Sequence, residues 1–186
     1  SGAGAGSGIC DEEYQKAGAT ISPKQALFEK ADMICKVKEV LPEEYHLFRE
    51  GQMLYTYLHL ASNEPFLDFL LEKKITSIGY ETVQLDDGYL PLLSPMSEVA
   101  GRLSIQIGTY MLHKSHGGEG ILIGGVPGVA PAEVVIIGGG IVGTNAARIA
   151  SGMGASVTLF DINRKRLGYL DDIFAGRITT MLSDSY

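Results

Sequence analysis

The sequence contains no tryptophan, only two cysteines and no long uninterrupted apolar run. Two cysteines are too few for the disulfide framework of a small secreted domain. One of them, Cys35, lies in a strand-like apolar segment, where we expect a buried and unreactive thiol. The longest weakly polar stretch, residues 120–143, is interrupted by prolines and glycines. It therefore predicts a loop, a strand and a turn rather than a membrane helix.

Basic side chains are also in deficit. The chain has 15 lysines and arginines against 22 aspartates and glutamates, which gives a net charge of −7. This balance argues against nucleic acid or an anionic membrane surface as a partner. The opening residues SGAGAGSG have neither the basic start nor the apolar core of a signal peptide. We therefore predict a soluble protein of the cytoplasm.

Strand-like and helix-like segments alternate along the chain, which predicts an α/β fold with parallel sheets. Asn63 is predicted to cap one of the helices, because its side chain can accept a hydrogen bond from the first turn. In the first half we predict strands at 33–37, 53–57 and 76–83, and helices at 23–31, 42–49 and 65–74.

A longer helix is predicted from near Ser97 to about Lys114, with Ser97 as a plausible cap. We expect this helix to bridge two domains, residues 1–94 and 95–186. Apolar side chains fall on one face of this helix at three- and four-residue spacings. This apolar stripe consists of Val99, Leu103, Ile107, Tyr110 and Met111.

The most specific pattern is a glycine fingerprint between a strand and a helix. Gly138, Gly140 and Gly143 directly follow the apolar run 134–137, and a second strand is predicted at 156–160. The first glycine permits a tight turn, the second lets a diphosphate approach the backbone, and the third lets the helix pack closely on the strand. The alternative is an ordinary glycine-rich turn without a ligand.

Asp161 ends the second of these strands and indicates which dinucleotide binds. Its carboxylate can accept a hydrogen bond from a ribose 2′-hydroxyl and would repel the 2′-phosphate of NADP. We therefore predict NAD. Three basic residues follow, Arg164, Lys165 and Arg166. They could accommodate a 2′-phosphate, although a solvated basic helix face is the favoured interpretation.

Several longer blocks resemble bacterial alanine dehydrogenase, within the family that also contains the transhydrogenase alpha subunit. The blocks include KVKEVLPEEY, YTYLHLA and SPMSEVAGR, and they occur in the family's order. The resemblance implies two Rossmann-like units: a substrate domain and the first half of an NAD-binding domain. The resembling ranges are 36–45, 55–61, 80–102, 116–150 and 158–171.

The resemblance implies NAD-dependent, reversible oxidative deamination of L-alanine to pyruvate and ammonium. Lys38 matches the family lysine that binds the substrate, and His59 matches the acid–base histidine. Histidine exchanges protons near neutral pH, as the hydrolysis of an iminium requires. Lys36 is a decoy for Lys38, since strand alternation would place both on one side. Glu81 is also at a family-like position, where a structural salt bridge is an equal alternative.

For the cofactor, the resemblance adds residues to the glycine fingerprint and Asp161. A homohexamer is also implied. The added cofactor positions are Ser97, Ile141, Val142, Arg166 and Ser183.

The chain is about half as long as the resemblance implies, so we expect little turnover from these 186 residues alone. A single mononucleotide half can hold adenosine and diphosphate, whereas the nicotinamide normally needs the second half. Two alternatives to a dehydrogenase therefore stand. One is a nucleotide-binding fragment without catalysis, and the other is a transhydrogenase-like subunit that ignores alanine.

Overall fold

A computed structural model describes residues 1–184 and divides the chain into two compact units, Ser1–Leu90 and the remainder from Pro91. Each unit has its own three-stranded sheet and its own apolar core. Every strand pairs in parallel with its neighbour. The predicted α/β class with parallel sheets is confirmed.

The sheet of the first unit has the order β1-β2-β3, with Ile34 of β1 and Ser77 of β3 both paired to Leu54 of β2. Short 3₁₀ turns follow the carboxyl ends of β2 and β3. The strands are β1 (Met33–Cys35), β2 (Met53–Thr56) and β3 (Thr76–Gly79), and the helices are α1 (Asp11–Lys16), α2 (Lys24–Lys30) and α3 (Glu64–Glu72).

Helix α3 begins where the sequence predicts. The Asn63 side chain accepts a hydrogen bond from the Phe66 amide at 3.3 Å, which satisfies a donor of the first turn. Phe66, Phe69 and Leu70 then face the core. The helix predicted at 42–49 is instead a 3₁₀ segment, Pro42–Leu47. Such short 3₁₀ pieces are common as connectors.

The first and third strands end earlier than predicted, at Cys35 and Gly79. The chain turns away there because Gly79 is followed by the 3₁₀ turn Tyr80–Thr82. The expectation of a buried Cys35 is wrong: its thiol is exposed. Ile34 points into the core, and pleating sends its neighbours to the opposite face.

The sheet of the second unit has the order β4-β5-β6 and packs against helices rich in alanine. Ala147 and Ala150 of one helix, with Leu159 and Leu170, are completely buried. Small residues let this helix lie close to the sheet. The strands are β4 (Glu133–Ile137), β5 (Ser156–Asp161) and β6 (Thr179–Leu182), and the helices are α4 (Ser94–Met111), α5 (Ile141–Gly152) and α6 (Arg164–Phe174).

Helix α4 starts earlier than predicted. It begins at Ser94, and Pro95 lies in its first turn, where a missing amide hydrogen costs nothing. Ser97 is therefore an interior residue whose amide donates to the Leu93 carbonyl at 3.1 Å, and not a cap. The apolar stripe shares one face, as its spacing predicts, and that face is exposed, with Val99 at 62%. The helix instead buries Gly101 against α5.

Helices that could cross a bilayer do not occur among the described residues, since none is both long and apolar enough.

Candidate functional site

Three loops follow the carboxyl ends of β1, β2 and β3, where open α/β sheets bind their ligands. Hydrogen bonds join these loops. The Thr56 hydroxyl donates to the Lys38 carbonyl at 2.8 Å. Glu81 accepts from the amides of Leu58 and His59 at 2.9 and 2.8 Å. The structure therefore brings the predicted residues Lys38 and His59 onto loops that are cross-linked within one unit.

His59 has a strained backbone, with φ at 48°, in the left-handed region that non-glycine residues avoid. This conformation costs on the order of 1 kcal/mol and persists where surrounding contacts hold it. Here the contacts are the bond from its amide to Glu81 and one from the Ser62 amide to its carbonyl at 3.2 Å. The imidazole is 45% exposed and stacks on Tyr57.

One carboxylate lies near the imidazole of His59, and another binds its backbone amide. Glu39 Oε2 lies 3.6 Å from His59 Nδ1, and this oxygen is buried without a hydrogen-bond partner in residues 1–184. Glu81 holds the backbone instead. Burial raises the pKa of Glu81, but the amides of His59, Glu81 and Leu58, together with the nearby imidazole, outweigh it and leave that pKa below its ordinary value. The salt bridge considered for Glu81 is replaced by these amide bonds.

The structure separates Lys36 from Lys38. Lys36 pairs with Glu44, a buried carboxylate that also lies 2.5 Å from Lys24. Burial raises the pKa of Glu44, but hydrogen bonds from both lysines and the Leu41 amide lower it to about 2. Lys36 is therefore used to neutralise a buried charge. The exposed Lys38 amine has no hydrogen-bond or ion-pair partner among the described residues, so it is available to an anionic ligand.

The second unit carries the glycine turn between β4 and α5. Gly138 has a φ of 94°, which a side chain rarely adopts. A Cβ on Gly143 would lie 1.9 Å from the Gly138 carbonyl oxygen, so only glycine fits there. At Gly140, no described atom outside that residue and its two chain neighbours lies within 4 Å of the position a Cβ would take. The turn therefore combines a tight bend, a close helix contact and an open approach to the backbone.

Asp161 lies beside this turn. Its Oδ2 accepts from the Gly139 amide at 2.6 Å and its Oδ1 from the Asn163 amide at 2.7 Å. These bonds, with the positive charge of Arg166, hold the pKa of Asp161 below its ordinary value, so the carboxylate is ionised at neutral pH. Ser183 follows β6, and its amide donates to the Asp161 carbonyl at 3.0 Å.

Arg166 also faces the turn. Its Nε donates to the Gly139 carbonyl at 2.5 Å and its Nη2 to the Thr144 hydroxyl at 2.6 Å, while the guanidinium lies 4.8 Å from the Tyr169 ring centroid. The structure thus gathers the glycine turn, Asp161, Arg166 and Ser183 at the carboxyl ends of β4, β5 and β6.

The remaining cofactor predictions lie on the helices. Ile141 and Val142 are the first two residues of α5, with exposed side chains. Ser97 is half-buried in α4. The same helix carries Gly101, where a Cβ would lie 2.2 Å from the Val142 carbonyl oxygen.

Sequence reasoning missed Gly101, Thr144 and Glu39. A glycine inside a predicted helix is a usable signal for the first, because it often marks close packing. Thr144 and Glu39 sit next to predicted site residues, but nothing in their spacing indicates their contacts. Within residues 1–184, no group of three or more histidine, cysteine or acidic side chains is arranged to hold a metal ion.

A parallel strand, a glycine turn, a helix and a second strand that ends on an ionised aspartate define one mononucleotide-binding half of a dinucleotide-binding fold. Residues 1–100 match the family model for the alanine dehydrogenase/PNT N-terminal domain, and residues 104–186 match that for the C-terminal domain. The chain belongs to the alanine dehydrogenase/PNT family.

Individual relatives agree with this assignment. An alanine dehydrogenase of Methanococcus maripaludis is 62% identical over all 186 residues, which cover 50% of that protein. Alanine dehydrogenase 2 of Staphylococcus aureus is 57% identical over 182 residues, 98% of this chain and 49% of the relative. The chain thus spans about half the length of the curated relatives it matches.

Solved structures show the same pattern. An L-alanine dehydrogenase superposes with a TM-score of 0.86 and 48% identity over 100% of this chain and 51% of the other. A transhydrogenase from Sinorhizobium meliloti superposes with a TM-score of 0.73 over 99% of this chain and 52% of the other. The identity there is 22%, so this second likeness shows the fold alone.

Proposed function

We propose that the protein catalyses the NAD-dependent, reversible oxidative deamination of L-alanine to pyruvate and ammonium. The observation that carries the proposal is that two joined loops hold Lys38, whose amine has no partner within residues 1–184, and His59, which has a strained backbone and faces a carboxylate. Family membership and relatives named alanine dehydrogenase support the choice of reaction. We further propose that residues 1–94 form the substrate domain and residues 95–186 the nucleotide-binding part.

NAD fits the second unit. The open approach at Gly140 leaves room for a diphosphate above the amino end of α5, where amides and the helix dipole favour an anion. The ionised Asp161 suits a ribose hydroxyl, and Arg166 and Ser183 flank it. Ser97, Ile141 and Val142 complete the proposed set. When bound, NAD supplies the acceptor for the hydride that leaves the alanine Cα.

Lys38 and His59 carry the proposed substrate chemistry. The Lys38 ammonium is free to bind the carboxylate or the carbonyl oxygen of the substrate. Because Glu39 faces Nδ1 of His59, Nε2 is the nitrogen left for proton exchange. The alanine amine first loses a proton and its Cα then loses the hydride, which leaves an iminium. His59 takes a proton from the water that adds to this iminium and returns it to the nitrogen of the carbinolamine. The carbinol hydroxyl loses its proton as the C–N bond breaks, and the departing ammonia takes that proton, so the products are pyruvate and ammonium.

Assembly and location belong to the same proposal. A homohexamer and a cytoplasmic location follow from the resemblance to bacterial alanine dehydrogenases. The net charge of −7 supports small molecules, rather than nucleic acid or anionic membranes, as partners.

The test is alanine-dependent formation of NADH by the full-length protein, followed by its absorbance. We expect His59→Gln to lower kcat by roughly 10²- to 10⁴-fold, because a general acid–base group is lost. Lys38→Met should raise the KM for alanine and leave the KM for NAD unchanged. The matched controls, His46→Gln and Lys30→Met, change exposed side chains outside the proposed site and should behave as wild type.

Three results would contradict the proposal. Full activity in His59→Gln would remove the histidine from the chemistry. Hydride transfer between nucleotides without any response to alanine would indicate a transhydrogenase-like subunit instead. Nucleotide binding without hydride transfer to or from any substrate would indicate a non-catalytic binding module.

A further inference from the structure

Of the three basic residues after Asp161, one is turned inward. Arg164 and Lys165 are exposed, whereas Arg166 is half-buried and donates to two oxygen atoms of the glycine turn and its helix. A guanidinium close to the ribose-binding aspartate is a group that can pair with a 2′-phosphate in two parallel hydrogen bonds. What holds Arg166 in place therefore bears on which dinucleotide is accepted.

Thr144 is the side chain that holds it. Its hydroxyl is buried, at 7% exposure for the residue, and is the one side-chain hydrogen-bond acceptor that Arg166 has within residues 1–184. The same hydroxyl donates to the glycine turn, where the carbonyl oxygen of Gly140 lies 2.7 Å from it and that of Gly139 lies 3.0 Å from it. A hydroxyl has one hydrogen and two lone pairs, so it can donate to the turn and accept from Arg166 at once.

The geometry also separates the two charges near the ribose position. The Asp161 carboxylate contacts the Gly139 amide, and the Arg166 guanidinium contacts the Gly139 carbonyl on the same residue. Each oxygen of Asp161 keeps a lone pair for a ribose hydroxyl. The guanidinium, by contrast, directs two of its donors into the protein, which leaves fewer for an incoming phosphate.

We propose that Thr144 is a positioning residue that determines dinucleotide specificity, because it retains the Arg166 guanidinium on the glycine turn and so favours NAD over NADP. The proposal rests on the proposed function, since it assumes that this turn binds a dinucleotide. Without the hydroxyl, Arg166 keeps its bond to Gly139 but loses the partner that fixes the plane of the guanidinium.

The experiment measures binding separately from turnover, on the full-length protein. Adenosine 5′-monophosphate and adenosine 2′,5′-diphosphate differ only in the 2′-phosphate, so the ratio of their dissociation constants by calorimetry reports the preference directly. We expect Thr144→Val, which is nearly isosteric, to shift this ratio roughly tenfold toward the diphosphate, as the release of one charged hydrogen bond allows. The kcat/KM ratio of NADP to NAD should move the same way.

Three variants identify the cause. Thr144→Ser keeps a hydroxyl and should retain the wild-type ratio. The double variant Thr144→Val with Arg166→Gln should lose the gain, because no guanidinium is left to release. Thr109→Val removes a hydroxyl that bonds the carbonyl four residues earlier in α4, as Thr144 does in α5, but within residues 1–184 this hydroxyl has no arginine partner. It should leave the ratio unchanged, and Thr144→Ala repeats the test if the valine variant does not fold.

An unchanged ratio in a folded Thr144→Val or Thr144→Ala protein would overturn the proposal, as would a gain that survives the loss of Arg166. If the wild-type protein binds neither adenosine nucleotide nor NAD, the proposed function itself fails. The two failures are therefore distinguishable in one set of titrations.

Discussion

The two units have the same sheet order and the same parallel pairing, yet they present different chemistry at the carboxyl ends of their strands. In the first unit the loops carry ionisable side chains, those of Lys38, Glu39, His59 and Glu81. In the second unit, the loop after β4 consists of glycines and offers mostly backbone atoms, and the charged side chains of Asp161 and Arg166 lie beside it. Proton exchange requires the first arrangement, and the close approach of a diphosphate requires the second.

Their interiors differ in the same way. The first unit encloses a carboxylate, Glu44, and neutralises it with two lysines. Among the described residues, the polar side chains buried in the second unit are the uncharged Ser94 and Thr144, and alanines lie where α5 packs on the sheet. The stability of the second unit therefore depends mainly on close packing, whereas the stability of the first also depends on charge balance. Three predictions test this difference, beginning with the largest expected effect.

Gly143→Ala should destabilise the second unit by about 3 kcal/mol, because the new methyl group would overlap the Gly138 carbonyl oxygen. Gly152→Ala is the matched control, since Gly152 lies in the same helix and no described atom would contact its Cβ. That control should be neutral or stabilising by up to about 1 kcal/mol. Urea unfolding of both variants measures the effect, and equal stabilities would show that close packing does not limit this unit.

Acid should weaken the first unit through Glu44. Its pKa is lowered in the folded state from 4.5 to about 2, so the stabilisation is complete above pH 4.5 and is lost as the pH falls toward 2. The contribution is of order 3 kcal/mol. We expect the difference in unfolding free energy between wild type and Glu44→Gln to shrink by that amount between about pH 6 and about pH 2.

Glu50→Gln provides the control for this titration. Glu50 pairs with Lys74 at 2.5 Å, but both side chains are mostly exposed. Such pairs contribute roughly 0–1 kcal/mol, so this variant should differ little from wild type at either pH. If Glu44→Gln and Glu50→Gln give the same pH dependence, the buried carboxylate is not what makes the first unit sensitive to acid.

The smallest effect concerns two left-handed residues, one in each unit. Ala175 has a φ of 49° at the end of α6, where glycine is preferred, and Ala175→Gly should stabilise the protein by about 0.5–1 kcal/mol. His59 has nearly the same φ, but its strain lies in the proposed site. His59→Gly should also relieve strain, yet abolish turnover. Thermal unfolding and activity, measured side by side, distinguish structural from functional strain.

The sequence was sufficient for the fold class and for the glycine turn, because both depend on local periodicity and spacing. It failed where distant contacts decide. The loop after β1 is bonded to the end of β2 by Thr56 and Lys38, and β3 is followed directly by a 3₁₀ turn, neither of which spacing reveals. Lys36 and Lys38 were inseparable on an extended strand, but the strand stops at Cys35, and Glu44 selects Lys36. The roles of the predicted site residues stay predictions.

Helix α4 shows a second kind of limit. Its apolar stripe was predicted from spacing alone, and the stripe is exposed. The helix packs on α5 at Gly101, where a Cβ would meet the Val142 carbonyl, and through Arg102, whose Nε donates to Asn145 Oδ1. Hydrophobic periodicity identifies where apolar surface lies, whereas close approach of two helices depends on how little surface is present.

Gly101 sets the spacing between α4 and the first turn of α5, at a separation that any larger residue would increase. A side chain there would press on the Val142 carbonyl and tilt that first turn, so the amides behind the glycine turn would no longer point in a common direction. The affinity for an anion depends on that alignment. Gly101, which has neither a charge nor a side chain, would thus affect how tightly the second unit binds an anion.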